Sequence, residues 1–499
     1  MRTRFPRAQA KACGYRAVAG IPGSVAAGFS LRVGRALAFA VALGLVSPAA
    51  AQETKPAAKK SPPIAIVGAE IYTVTKGIIK NGTILIQDGK IVQVGTDVAV
   101  PDGAIRIDAK GKVVTPGFIT VSATNVALRG AGGPGGGGPP APNAGGGTGK
   151  LADSLNPLDR NIQFCLAAGI TTANVEVAAG GAGRFGRDDP EPGPTNVCPC
   201  CGMTFLPTEP IGPTAPAERT ARRSAVLRMT FGDMGPMLVK ESPFYHLPAG
   251  AFVGALNRHQ WRETVKRAKQ QAKDAAALAD DPFDTPDPAA GGFNRGVTAE
   301  LISLVQKKIP LRTEAASVEQ MRDMIALAKE LDYNLVLDGV QEGWRIPDEL
   351  KAANVQTILT PRNRRRPTPG KEDTTGSSIE TSGILAKAGV PFAVAPLGVA
   401  VSTDGIPGRD LTSLPLEAAF AVRGGASEQT ALAGLTMVPA KLLGLEKRIG
   451  SIEVGKDADL LILDGPPLDY RTYVDQALIG GKVYYDRFRE KIYPDGPKR

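Results

Sequence analysis

The chain has 499 residues, 59 Lys and Arg against 49 Asp and Glu, and a formal net charge of +10, with only two histidines and five cysteines. That length accommodates more than one folding unit with a sizeable buried core. Two imidazoles, His246 and His259, exclude a metal centre built on several histidines.

The first 51 residues carry seven basic side chains and no acidic one, then an apolar run at 36–46 and the small-residue ending Ala49, Ala50 and Ala51 before Gln52. This pattern predicts a signal peptide over 1–51, cleaved after Ala51, and export to the periplasm or beyond. A start at Val33 would give a more ordinary leader. The apolar run is too short to span a membrane, so no span is expected in the mature chain. Loss of the leader removes seven of the ten net positives and leaves +3, too little to imply a nucleic-acid partner. Residues 52–63 read as a linker.

Short Val, Ile and Thr runs split by NG and DG pairs over 64–118 predict a small antiparallel sheet. The Gly- and Pro-rich segment 130–147 reads as a mobile loop. Cys165 falls on a predicted helix. The Pro- and charge-rich stretch 190–288 reads as an insertion; it holds a long basic helix at 260–278 and the thiol cluster CPCCGM, with Cys198, Cys200 and Cys201. In an exported chain those thiols favour a disulfide, with Cys165 as one candidate partner, over half of a zinc knuckle that lacks its second pair.

The clearest helix is 318–331: Ser317 and Gln320 are spaced as a capping box, and Met321, Ile325, Ala328 and Leu331 make one apolar stripe. YNLVLD at 333–338 and VQTILT at 355–360 read as buried strands. After them comes PRNRRRPTPGK, whose Arg362, Arg364, Arg365 and Arg366 are candidates for binding an anion through their planar donors. GSIEVGKDADLLILDG at 450–465 returns to the strand-and-turn texture of the other end. Neither end is large enough to bury its own core, so the two should fold together.

Four phrases carry a family likeness: VVTPGFI at 113–119, AAGITTANV at 167–175, IPLRTEAASVEQM at 309–321, and LPLEAAFAVRGG at 414–425 leading into GSIEVGKDADL. Together they resemble the amidohydrolase superfamily, most of all its imidazolonepropionase-like branch. The resemblance implies an α/β fold in which a (β/α)8 TIM-like barrel over 118–435 is flanked by a composite β-sandwich built from 64–117 and 436–499. It also implies hydrolysis of C–N bonds by water activated on zinc or another divalent metal, with an aspartate shuttling the proton.

Ser122 and Thr124 stand where the family has a His-x-His pair, and Thr120 stands where an Asp precedes it. Glu314, Ala316 and Gly339 stand at the places of two further histidines. Asp404 in STDG matches the last-strand aspartate, with Leu397 as a competing alignment. Ser and Thr hydroxyls stay protonated and neutral at pH 7, and a hydrolytic zinc needs about three protein ligands. His246 and His259 lie outside the ligand positions and read as packed or surface side chains.

The expectation is a barrel without its standard metal, with the cofactor left unknown and none favoured. It would act as a pseudoenzyme that binds a small ligand or a protein partner, as a homo- or hetero-oligomer. One rival is a hydrolase whose carboxylates Glu314, Asp338 and Asp404, with Glu176 nearby, hold a hard oxygen-preferring ion. The other is an interaction scaffold acting through 190–288.

Overall fold

The computed structural model describes residues 62–128, 151–176, 224–252, 254–279, 297–401 and 411–492. The predicted leader, the segment 130–147, Cys198, Cys200, Cys201 and Asp404 lie outside the described residues. Among the described residues no helix is long and apolar enough to cross a membrane.

In chain order the strands begin with β1 (Ile64–Tyr72), β2 (Ile78–Gln87), β3 (Lys90–Gly95), β4 (Ile105–Asp108), β5 (Val113–Pro116) and β6 (Phe118–Ala123). Helix α1 (Arg160–Ala167) precedes β7 (Ile170–Glu176), β8 (Ser224–Arg228), β9 (Leu238–Glu241) and β10 (Tyr245–Leu247). Helices α2 (Ala255–Ala279) and α3 (Ala299–Val305) lead to β11 (Leu311–Glu314), then α4 (Val318–Leu331), β12 (Leu335–Asp338), α5 (Pro347–Ala352), β13 (Gln356–Leu359), α6 (Thr381–Ala388) and β14 (Phe392–Val394). Helices α7 (Leu414–Arg423), α8 (Glu428–Leu435) and α9 (Met437–Leu442) are followed by β15 (Leu460–Leu463), β16 (Val474–Ile479), β17 (Lys482–Asp486) and α10 (Arg487–Glu490).

The two ends of the chain share one eight-stranded sheet, joined where β5 pairs antiparallel with β15 from Val113↔Leu463 to Pro116↔Leu460. Period-2 alternation sorts its faces: Leu460 and Ile462 join Ile66, Ile84 and Val114 in one apolar cluster, while Leu461 and Leu463 face the main core. The sheet is mixed, because β4 and β5 run parallel to β1. GKDADL places a carboxylate at this junction. Asp457 accepts from Lys90 at 2.8 Å, Arg228 at 2.5 Å and Arg448 at 2.8 Å, tying the terminal sheet to β8.

Two smaller sheets, β6-β7-β8-β9 and β10-β11-β12-β13-β14, make the rest. Ile119 and Val121 of β6, Val226 of β8, Val336 of β12, Ile358 of β13 and Ala393 of β14 form one cluster, so both sheets turn a face to a shared interior. Their neighbours Leu335, Leu337, Leu359 and Phe392 face outward into the main core, which also holds apolar residues of α1, α4, α7 and α8. A parallel bridge between Thr124 and Ala400 joins the chain after β6 to the chain after β14.

Two glycines explain two of the motifs. A Cβ on Gly117 would lie 2.0 Å from Thr171 Oγ1, and Gly169, at φ +87°, would push a Cβ to 2.7 Å from the Phe118 ring. PGF and AAGIT are thus the two sides of one close contact.

Two expectations are corrected. The strands are not all parallel, since β8 runs antiparallel to both β7 and β9. Residues 190–288 are not simply an insertion, since β8 pairs with β7 and β10 pairs with β11. Strands of three to five residues are too short to show a period against a Pro-rich background.

Candidate functional site

Alternation along the central strands aims polar side chains into the shared interior. On β11 Leu311 joins the outer core, so Arg312 points inward. On β10 Tyr245 and Leu247 face outward, and His246, paired in register with Arg312, faces inward. On β7 Ala173 and Val175 face outward and Glu176 inward; on β12 Val336 is an interior residue and Asp338 follows it two positions on.

These side chains meet around the Arg312 guanidinium, which is 2% exposed. Its Nε and Nη2 donate to Asp338 Oδ2 at 3.0 and 2.5 Å, and Nη1 donates to Glu176 Oε1 at 3.1 Å. Nη2 also donates to Ser122 Oγ at 2.5 Å and Nη1 to the Val121 carbonyl at 2.9 Å. The Ser122 hydroxyl in turn donates to Glu176 Oε1 at 3.0 Å. His246 Nδ1 lies 3.8 Å from Glu176 Oε2, and the Phe244 ring sits 5.5 Å from the guanidinium carbon.

Burial opposes the charge on Arg312, but the carboxylates of Asp338 and Glu176 more than offset it and hold its pKa above the usual arginine value. The result is a guanidinium clamped by two acids, a hydroxyl and a carbonyl, with every contact inside hydrogen-bond range.

The predicted positions divide. Ser122 is buried and belongs to the cluster. Thr124 is half-buried, and its backbone N–H donates to the Val399 carbonyl at 2.8 Å. Asp338 belongs to the cluster, whereas Glu314 at the end of β11 is exposed. Ala316 and Gly339 bring no donor side chain; Gly339 sits at φ +73° beside the Gln341 amide. Asp404 lies outside the described residues.

His246, read as a packed or surface side chain, is buried, and the pairing of β10 with β11 carries it to Glu176. His259 is an exposed residue of α2. Arg312 was missed. Its one local signal is the alternation in LRTE, which sets an arginine between outward-facing Leu311 and Thr313 on an interior strand.

The arginine run after β13 does not form a common anion site. Arg362 pairs with buried Glu417 at 2.7 Å and Arg365 with buried Glu342 at 2.9 Å, while Arg364 and Arg366 are exposed. Burial raises the Glu417 pKa, with Arg362 pulling the other way. A cavity of about 750 Å³ lies away from the interior cluster, between Tyr72 and Ile78 of the terminal sheet, Leu416 and Leu432 of α7 and α8, and the loop at Pro466 and Tyr470.

Among the described residues no three His, Cys, Asp or Glu side chains are placed to hold a metal ion. The donor chemistry agrees, for the acids that could bind a cation already bind Arg312. The described residues do not fit the metal that the family likeness implies.

A sequence model of the amidohydrolase family matches residues 349–485. The imidazolonepropionase of Syntrophobacter fumaroxidans is 49% identical over 71 residues, 14% of this chain and 17% of that protein. The imidazolonepropionase of Clostridium tetani is 28% identical over 189 residues, 34% of this chain and 45% of that protein. The chain thus spans less than half the length of these curated relatives. Among solved structures, an amidohydrolase from Thermotoga maritima superposes with a TM-score of 0.61 at 24% identity, over 85% of this chain and all of that one. The fold is an α/β fold of the TIM-barrel type.

Proposed function

We propose, from the premise that this chain belongs to the amidohydrolase superfamily and is imidazolonepropionase-like, that it is a non-catalytic member. It would be exported by its leader and act by binding a ligand or a partner. In this reading the barrel is of the TIM type, departing from the all-parallel (β/α)8 pattern at β8 and β9, is flanked by a composite β-sandwich, and has kept its fold after losing its metal chemistry. One observation carries the reading: the interior acids Glu176 and Asp338 are bound to the Arg312 guanidinium.

Generating a hydroxide near neutral pH needs a Lewis acid held by donor side chains with one position open. Here the family likeness puts Ser122, Thr124, Glu314, Ala316 and Gly339 where such donors would be, and the interior carboxylates Glu176 and Asp338 are paired with Arg312. The alternative of a carboxylate-held ion requires Glu314, which is exposed, Asp338, which is bound to Arg312, and Asp404, which lies outside the described residues. A test of the scaffold alternative needs surface substitutions in 190–288 rather than its deletion, which would remove β8, β9 and β10 from the two smaller sheets.

The test is turnover of a panel of cyclic amides and amidines by purified protein, with a chelator and with added zinc or manganese. The expected result is no hydrolysis above the heat-inactivated control under any of these conditions. Turnover that a chelator abolishes and a metal restores would end this reading.

A further inference from the structure

We propose that Arg312 is the residue that excludes a divalent metal from this barrel, its guanidinium taking both the place and much of the charge of the ion. The inference deepens the reading above and rests on it. Three observations converge on one point in the interior.

Oxygen geometry is the first of these. Asp338 Oδ2, Glu176 Oε1, Ser122 Oγ and the Val121 carbonyl surround one guanidinium at 2.5 to 3.1 Å. A hard divalent ion takes the same kind of oxygen shell at roughly 2.0 to 2.6 Å. The three side-chain oxygens can contract by side-chain adjustment, since Glu176, Asp338 and Ser122 sit on three different strands, while the Val121 carbonyl is fixed by the backbone of β6.

Charge is the second. Glu176 and Asp338 bring two negatives to a buried place, and Arg312 returns one positive. The cluster keeps one net negative charge, which a divalent ion in the same position would cancel. Without Arg312, two carboxylates would be left in the interior uncompensated, an arrangement proteins do not tolerate unless the acids protonate or capture a cation.

The third is His246. Its Nδ1 lies 3.8 Å from Glu176 Oε2, and its strand neighbour in register is Arg312 itself. An imidazole beside one carboxylate, with a second carboxylate in the same cluster, is a donor set suited to zinc or manganese. With the guanidinium in place these three groups are held around it and do not form a metal site. Removing it takes the shared cation from Glu176 and Asp338, so that an ion can take its place with His246 nearby and water filling the vacated arginine volume.

The experiment compares the full chain with Arg312→Ala, Arg312→Lys and the double variant Arg312→Ala with Glu176→Gln. Each is scanned for its melting temperature in metal-free buffer and with zinc or manganese chloride, and bound metal is counted by elemental mass spectrometry. Cys198, Cys200 and Cys201 are changed to serine in every sample.

The wild-type background should neither bind the ions nor shift its Tm. Arg312→Ala should melt lower in metal-free buffer, bind one ion per chain, and recover Tm on binding it. Arg312→Lys keeps a cation and should stay indifferent to metal. The double variant should lose both the ion and the recovery. If Arg312→Ala is soluble only from metal-supplemented cultures, that supports the same conclusion.

A soluble, metal-indifferent Arg312→Ala would overturn the proposal, as would an ion bound by the wild-type background and lost on Glu176→Gln. Failure of these arms leaves the non-catalytic reading untouched; chelator-sensitive turnover by the wild type is what would remove that.

Discussion

Arg312 shows how one side chain can settle the character of a barrel interior. A buried cation is tolerable only where its counter-charges are delivered with good geometry; Asp338 and Glu176 deliver them, and Ser122 accepts a further hydrogen bond. Breaking such a set from one side is costly. Arg312→Met should destabilise the protein by about 3–5 kcal/mol in urea unfolding, because two carboxylates are stranded. Changing Glu176 and Asp338 to their amides in the same chain should recover much of that loss, since no buried charge then remains. At this scale the family resemblance pointed to missing imidazoles at 122 and 124 and among 314, 316 and 339. It did not disclose Arg312, since an arginine on a strand normally faces solvent. The partner that explains it, Glu176, lies 136 residues away in the chain.

The elements were legible in proportion to their length and their local chemistry. For 318–331 the capping box at Ser317 and Gln320 forms as the spacing requires, and the helix runs over Val318–Leu331. Its buried side is broader than a single stripe, because Met324 and Leu327 join Met321, Ala328 and Leu331 while Ile325 is only partly buried. Ser317→Ala should cost about 1 kcal/mol through the lost cap, whereas Leu327→Ala should cost about 2–5 kcal/mol through the cavity it leaves; both are read by chemical denaturation. The strands predicted at 333–338 and 355–360 form over Leu335–Asp338 and Gln356–Leu359. Strands β8, β9 and β10 escaped detection because pairing of β8 with β7, of β9 with β8 and of β10 with β11, rather than local alternation, holds them in place.

At the scale of the molecule, the ends of the chain meet as composition suggested, since neither texture could bury its own core. What composition could not show is how the meeting is fastened. Asp457, from GKDADL, draws Lys90, Arg228 and Arg448 to one carboxylate. Burial alone would raise its pKa, yet Lys90, Arg448 and Arg228 together hold it below the usual 3.8. A carboxyl lowered in the folded state stabilises the fold fully above 3.8, and that contribution is lost as pH falls through the lower folded-state value. The gap in Tm between wild type and Asp457→Asn should therefore be open at pH 7 and close in strong acid. A gap that persists unchanged at low pH would mean the aspartate acts through shape rather than charge.

The central claim is that a guanidinium holds the interior acids where a family relative would hold an ion. Its most direct test is the metal content of purified protein by elemental mass spectrometry, with Cys198, Cys200 and Cys201 changed to serine so that thiols cannot contribute. The account predicts no zinc, manganese or magnesium above trace. Near-stoichiometric metal that disappears when Glu176 and Asp338 become amides would contradict it.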